Sequence, residues 1–163
     1  MRERVGDLYA VVAVGGACGA VARYGFEVLF PMPASGPAWP WGTFLVNVSG
    51  CLVLGIVLVL VKELWPDPTQ GGTARLIRPL LVTGVLGGYT TFSTFAVETT
   101  ALLQRGEVVL ALAYAIGSVL SGVAAVALAL AVSERMADSV RRRVEHPGLI
   151  AEVVEVEEAE ETT

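Results

Sequence analysis

The residues of this chain best suited to chemistry lie between Gly84 and Phe95. Gly84, Gly87 and Gly88 come first, Thr90, Thr91, Ser93 and Thr94 follow, and Phe92 and Phe95 stand three apart. The stretch sits inside an apolar segment long enough to cross a membrane, and a plain membrane helix has no use for it. Backbone carbonyls and hydroxyls freed at membrane depth are tolerated only where protein, water or an ion satisfies them. The pattern predicts a discontinuous helix with an ion or substrate site at its break.

The elements that would position such a site are membrane helices. Of 163 residues, 54% are hydrophobic and only 17% charged, against about a quarter charged in a soluble domain. The charges fall outside the apolar runs, and the length suits one domain. Spans are expected at residues 8–30, 42–61, 76–103 and 108–132, making residues 1–132 a four-helix transmembrane domain. The first run is too long for the hydrophobic part of a signal peptide and is read as a retained helix. Pro31–Trp41 and Lys62–Arg78 are read as loops, with Trp39 and Trp41 suited to the headgroup level. Within residues 133–163, Ser133–Glu145 prolongs the fourth helix into water, with Arg141, Arg142 and Arg143 near the anionic leaflet. The acidic tail 148–163 has no aromatic residue and is read as disordered.

Further polar residues recur within the spans. Thr43, Asn47, Cys51 and Gly55 repeat every four residues on one face of the second span. An amide facing lipid is costly, so Asn47 faces protein or a pore. Tyr114, Ser118, Ser121 and Gly122 share a face of the fourth span, for packing or as a polar track. Gly15 and Gly19 make a smooth contact face on the first. Arg23 either snorkels to the interface or faces a polar interior. Cys18 and Cys51 lie beside glycines and are read as small packing residues. With His146 the sole histidine, a zinc or redox-metal site is not indicated.

The net charge of −5 comes from the tail: without the six glutamates of residues 152–163, 11 basic residues face 10 acidic ones. No basic stripe suits nucleic acid. Four spans put both termini on one side, together with nine of the 11 Lys and Arg residues; only Arg23 and Arg105 fall on the other. That bias predicts cytoplasmic termini. No Gly-x4-Gly-Lys-Ser/Thr loop for ATP is present, and no Ser-His, paired-Asp or metal-ligand set lies at membrane depth, so an enzyme is not expected. A secondary transporter would normally show two repeats, and none is visible. A scaffold would not need Asn47, Tyr114 and the hydroxyl rows.

Three motifs then occur in order: Gly15-Gly-Ala-Cys-Gly-Ala-Val-Ala-Arg23-Tyr24, Gly42-Thr-Phe-Leu-Val-Asn47-Val-Ser-Gly-Cys51 and Gly87-Gly-Tyr-Thr-Thr-Phe-Ser-Thr-Phe95. Through them the chain resembles the Fluc (CrcB) fluoride-channel family over nearly all of residues 8–132. The resemblance implies an all-α membrane protein of four transmembrane helices with a broken third helix. It also implies a dual-topology-type antiparallel dimer in a bacterial-type cell membrane, with two fluoride pores, a central structural sodium ion and passive fluoride export. By the same resemblance, main-chain carbonyls of Gly87 and Thr90 bind the sodium, and Phe92 and Phe95 line the pore with Asn47, Thr43, Ser93 and Thr94. Tyr114 and Ser118 match the polar track of the fourth helix, and Arg23 and Glu98 match two further polar positions.

Physical chemistry supports those roles. A small anion crossing lipid needs its lost water replaced by donors, and an amide and five hydroxyls supply them. Aromatic rings offer a positive edge. Conduction requires weak sites rather than a fixed full positive charge. Glycines allow the backbone to unwind so that carbonyls point off the helix axis. Two features stand out: the Glu98 carboxylate repels an anion, and the charge bias departs from the many family members that insert in both orientations. The partner is then either a second copy or an oppositely oriented homologue.

Overall fold

Long apolar runs in lipid can satisfy every backbone N–H and C=O by coiling, and helices dominate this chain. The computed structural model describes residues 2–31, 38–64 and 74–145, and no strand occurs among them. α1 is Arg2–Leu29 and α2 is Trp41–Leu64. The third span opens as α3 (Ala74–Arg78), widens into a π-helix (Pro79–Leu86) and closes with the single turn α4 (Gly87–Tyr89). Pro79 has no N–H to bond back, and the α pattern lapses there into wider turns. After a non-helical step at residues 90–92 the span resumes as α5 (Ser93–Gln104). α6 is Val108–Glu145.

Among the described residues, four helical segments are long and apolar enough to cross a membrane: Val5–Leu29, Trp41–Leu64, Arg75–Gln104 and Val108–Arg142. The expected all-helical fold with a broken third helix is therefore observed. Its helices run a few residues past the expected spans. The 38 residues of α6 cover ~57 Å at helical rise, well beyond a hydrocarbon core of ~30 Å. The expectations for residues 32–37, for Pro66–Gly72 and for the tail from His146 onward concern segments outside the described residues.

Glycines set the closest contacts. α1 lies along the π-helix, and a Cβ on Gly15 would come 2.7 Å from the Leu80 carbonyl oxygen and 3.0 Å from Gly84 Cα. A Cβ on Gly19 would overlap the Val85 carbonyl. The smooth face of α1 is thus a backbone-to-backbone contact. α2 lies along α6, where Gly55 admits Ala129 and Gly122 admits the Cys51 sulfur. Cys18 departs from expectation: it is exposed on α1, and only Cys51 packs between helices. Large apolar side chains such as Val21, Leu29 and Val109 point outward, as a lipid-facing surface requires. Ion pairs tie helix ends together, Arg75 to Asp7 at 3.1 Å and Arg141 to Glu63 at 2.6 Å.

Candidate functional site

The break is built by hydrogen bonds that divert the backbone. Thr90 takes an extended conformation, ψ 156°, after the helical turn Gly87–Tyr89. The Thr91 amide, which in a continuous helix would bond the Gly87 carbonyl, goes instead to Asn47 Oδ1 at 2.8 Å. Asn47 Nδ2 donates to the Thr91 carbonyl at 2.9 Å. The Thr94 amide, which would bond the Thr90 carbonyl, goes to Thr91 Oγ1 at 3.2 Å. Thr91 thereby caps α5 with its side chain. The Gly87 and Thr90 carbonyls are left without the amides a continuous helix would give them. The Gly88 carbonyl between them accepts from Arg23 Nε at 3.3 Å, and Arg23 Nη1 pairs with Glu27 at 3.1 Å. Arg23 thus ties α1 to the broken span, with its side chain still partly exposed.

Gly87 and Gly88 are helical, and the chain leaves the helix only at Thr90. The glycines do not supply the unwinding expected of them. Gly84 and Gly88 are needed because α1 backbone lies against them, Gly15 Cα at 3.0 Å from a Cβ on Gly84.

Beyond the break, three helices meet at one carboxylate. Thr43 Oγ1 from α2 donates to Glu98 Oε1 at 2.8 Å, and the Tyr114 hydroxyl from α6 donates to Oε2 at 2.7 Å. Thr43 and Tyr114 are fully buried. Both hydroxyls expected along the pore are therefore engaged by Glu98, and each carboxylate oxygen is occupied by a donor. A half-buried carboxylate at membrane depth is tolerable when it is hydrogen-bonded in this way.

At the break lies a cavity of about 370 Å³, lined by Asn47, Cys51, Gly87, Thr90, Phe92, Phe95 and Ser118 among others. Phe92 is largely exposed, and its ring centroid stands 5.7 Å from that of Phe95. Phe95 stands 5.3 Å from the Tyr114 ring, linking the cavity to the triad. Ser118 is buried, faces this space and has no hydrogen-bond partner among the described residues. Asn47 has one amide hydrogen left after Thr91 is served. Ser93 and Thr94 are not at the cavity wall: their hydroxyls lie 3.2 and 3.1 Å from Thr91 Oγ1.

Sequence reasoning assigned no role to Thr91. Its signal was a threonine three residues before Thr94, ahead of a helical segment, the spacing of a side-chain cap. Trp39, expected at the headgroup level, is turned inward onto Phe44 and Tyr114, with ring centroids at 5.4 and 5.5 Å. Its place four residues before Thr43 and eight before Asn47 was the signal for that.

The sequence profile described as CrcB-like protein, Camphor Resistance (CrcB), matches residues 10–130. The chain is 44% identical over 127 residues to fluoride-specific ion channel FluC 1 of Streptomyces coelicolor, covering 78% of this chain and 77% of that one. It is 40% identical over 131 residues to fluoride-specific ion channel FluC 2 of Nocardia farcinica, covering 80% and 88%. It is 44% identical over 121 residues to fluoride-specific ion channel FluC of Paracoccus denitrificans, covering 74% and 90%. With that breadth of match on a four-span fold broken where Asn47 meets Thr91, the chain belongs to the CrcB-like protein family.

Proposed function

We propose that this protein is a fluoride channel that lets the anion leave the cytoplasm passively. The observation that carries the reading is the cavity at the break, where unspent donors on Asn47 and Ser118 face Phe92 and Phe95. The names of the relatives supply the ion. Donors on neutral side chains replace part of the lost hydration without holding the anion tightly, as conduction demands. Ring edges of Phe92 and Phe95 add weak positive potential. Thr43 and Tyr114 donate to Glu98 and so turn part of its charge away from the path. Hydrogen fluoride enters cells as a neutral weak acid and dissociates inside; the membrane potential then drives the anion outward without ATP.

In this reading the working unit is an antiparallel dimer with a structural sodium ion on its twofold axis. The Gly87 and Thr90 carbonyls fit that role, because they are the ones released when Thr91 and Thr94 turn their amides elsewhere. A hard cation takes oxygen ligands, and a twofold axis would present each carbonyl twice. When bound, the ion supplies charge for backbone groups that lipid cannot satisfy. Arg23 keeps the intervening Gly88 carbonyl occupied.

The charge bias supports a cytoplasmic location for both termini. The second subunit is another copy of this chain or an oppositely oriented homologue. The test is anion efflux from liposomes holding the chain, alone and co-purified with a copy whose loop charges are reversed. Fluoride efflux without chloride efflux in either preparation supports the reading. Equal rates for the two anions, or no fluoride efflux in both, overturns it. Replacing sodium by a large organic cation should lower dimer stability; no change would remove the sodium from the proposal.

A further inference from the structure

A buried tryptophan ordinarily finds a partner for its N–H, and an indole N–H can only donate. Trp39 breaks that habit. Its Nε1 is inaccessible to solvent and has no hydrogen-bond partner among the described residues. Ser118 Oγ is the other side-chain atom in that condition among the described residues, and Ser118 is one of the residues that line the cavity. A buried donor left unmet costs ~1–3 kcal/mol, so an idle N–H in a tightly packed place needs a reason.

The place is specific. The indole lies edge-on to Tyr114, ring centroids 5.5 Å apart at 87°, and edge-on to Phe44 at 5.4 Å. Its benzo edge rests on α6 at Gly117, where a Cβ would come 3.3 Å from Cη2. Gly117 precedes Ser118 in the chain, so the two unmet donors lie against the same stretch of α6, one turn after Tyr114. A chain of aromatic contacts leads from the cavity through Phe95 to Tyr114, 5.3 Å apart, and from Tyr114 to Trp39. Trp39 precedes α2 by two residues, at the end of the bundle away from the chain termini.

We propose that the Trp39 indole N–H is an anion donor, a second resting point on the path beyond Phe95 and Tyr114. This rests on the channel reading above and adds to it a residue with its own role. An anion leaving Ser118 would pass the Tyr114–Glu98 pair, where the carboxylate opposes it, and would need a donor on the far side. The indole offers one that carries no net charge, is held by the rings of Phe44, Tyr114 and Trp41, the last at 5.9 Å, and has no acceptor among the described residues.

The experiment is a titration of the detergent-solubilised channel with sodium fluoride, and with sodium chloride as control, read by the indole N–H resonances of 15N-tryptophan-labelled protein. The chain has three tryptophans; Trp39→Phe identifies the Trp39 signal, and Trp41 and Trp65 serve as internal references. The expected result is a saturable shift of the Trp39 resonance with fluoride, absent with chloride and absent at the other two. In liposomes, Trp39→Phe should lower fluoride efflux about tenfold or more, the loss expected for one hydrogen bond to a charged group, while the variant elutes at the wild-type size. A Trp39 signal that fluoride leaves unmoved, in protein that conducts fluoride, overturns the proposal and leaves the channel reading standing. Protein that conducts no fluoride, either alone or co-purified with the charge-reversed copy, overturns both.

Discussion

Asn47 holds Thr91 by both its backbone groups: Nδ2 donates to the Thr91 carbonyl at 2.9 Å, and Oδ1 accepts from the Thr91 amide at 2.8 Å. α2 thereby replaces two hydrogen bonds that the broken helix lacks. Only a side chain with a donor and an acceptor at this reach can do both.

That clasp gives a first prediction. Asn47→Leu removes two hydrogen bonds worth about 0.5–1.5 kcal/mol each and leaves two backbone groups unmet at membrane depth. Thermal unfolding in detergent should show a loss of ~1–3 kcal/mol, together with loss of fluoride efflux. Asn47→Asp should be worse than its size suggests, because an oxygen then faces the Thr91 carbonyl. An Asn47→Asp protein as stable as wild type would show that the clasp is not needed for the break.

The Glu98 triad gives a second. Tyr114→Phe removes a hydroxyl donor from the carboxylate and should cost about 1.5–3 kcal/mol. Glu98→Gln should be milder, since its amide can accept from one hydroxyl and donate to the other. The two changes should not add: Tyr114→Phe should cost ~1 kcal/mol less in the E98Q background. Additive losses in denaturation of the four proteins would show that Tyr114 and Glu98 act separately.

Glycine contacts give a third. A methyl on Gly15 meets the Leu80 carbonyl at 2.7 Å, whereas Gly25 on the same helix has nothing within 4 Å of its Cβ position. Gly15→Ala should destabilise by ~1–3 kcal/mol, as forced overpacking does. Gly25→Ala should be neutral or stabilise by about 0.5–1 kcal/mol, the helix preference of alanine. Unfolding midpoints that move together in the two variants would place the α1 contact elsewhere.

These contacts also show what could be read from the chain and what could not. Helix number, the α1 glycine face and the inward face of Thr43, Asn47 and Cys51 follow from periodicity, because a single helix fixes which residues share a side. The break was legible as composition: glycines and hydroxyls crowded at mid-span. Its exact place was not, because Asn47 and Thr91 settle it, and they lie 44 residues apart. For the same reason sequence reasoning listed Thr43 and Tyr114 as free donors. Glu98, on a third helix, claims both hydroxyls, and pairings across helices leave no period to read. Trp39 was legible as a span-end tryptophan, but not as a packing partner of Phe44 and Tyr114, for the same reason.

The last prediction concerns insertion. By the alternation of four spans, Arg2, Arg4, Lys62, Arg75, Arg78, Arg135, Arg141, Arg142 and Arg143 share one side, and positively charged loops stay cytoplasmic. The ion pairs Asp7–Arg75 and Glu63–Arg141 lie at that same end of the bundle. They spend two acidic groups there, but acidic residues contribute little to orientation. If insertion is one-way, the heterodimer alternative, an antiparallel dimer does not form from wild-type chains alone. The expected result is a C-terminal reporter found only in the cytoplasm and little fluoride efflux when the chain is expressed by itself. Efflux should rise at least about tenfold, a gain of ~1.4 kcal/mol in effective assembly, when the chain is co-expressed with a copy in which Arg2, Arg4, Arg75 and Arg78 are neutralised and lysines are added beside Arg105. Full efflux from the wild-type chain alone, with reporters on both faces, would establish a homodimer that inserts both ways despite its charge.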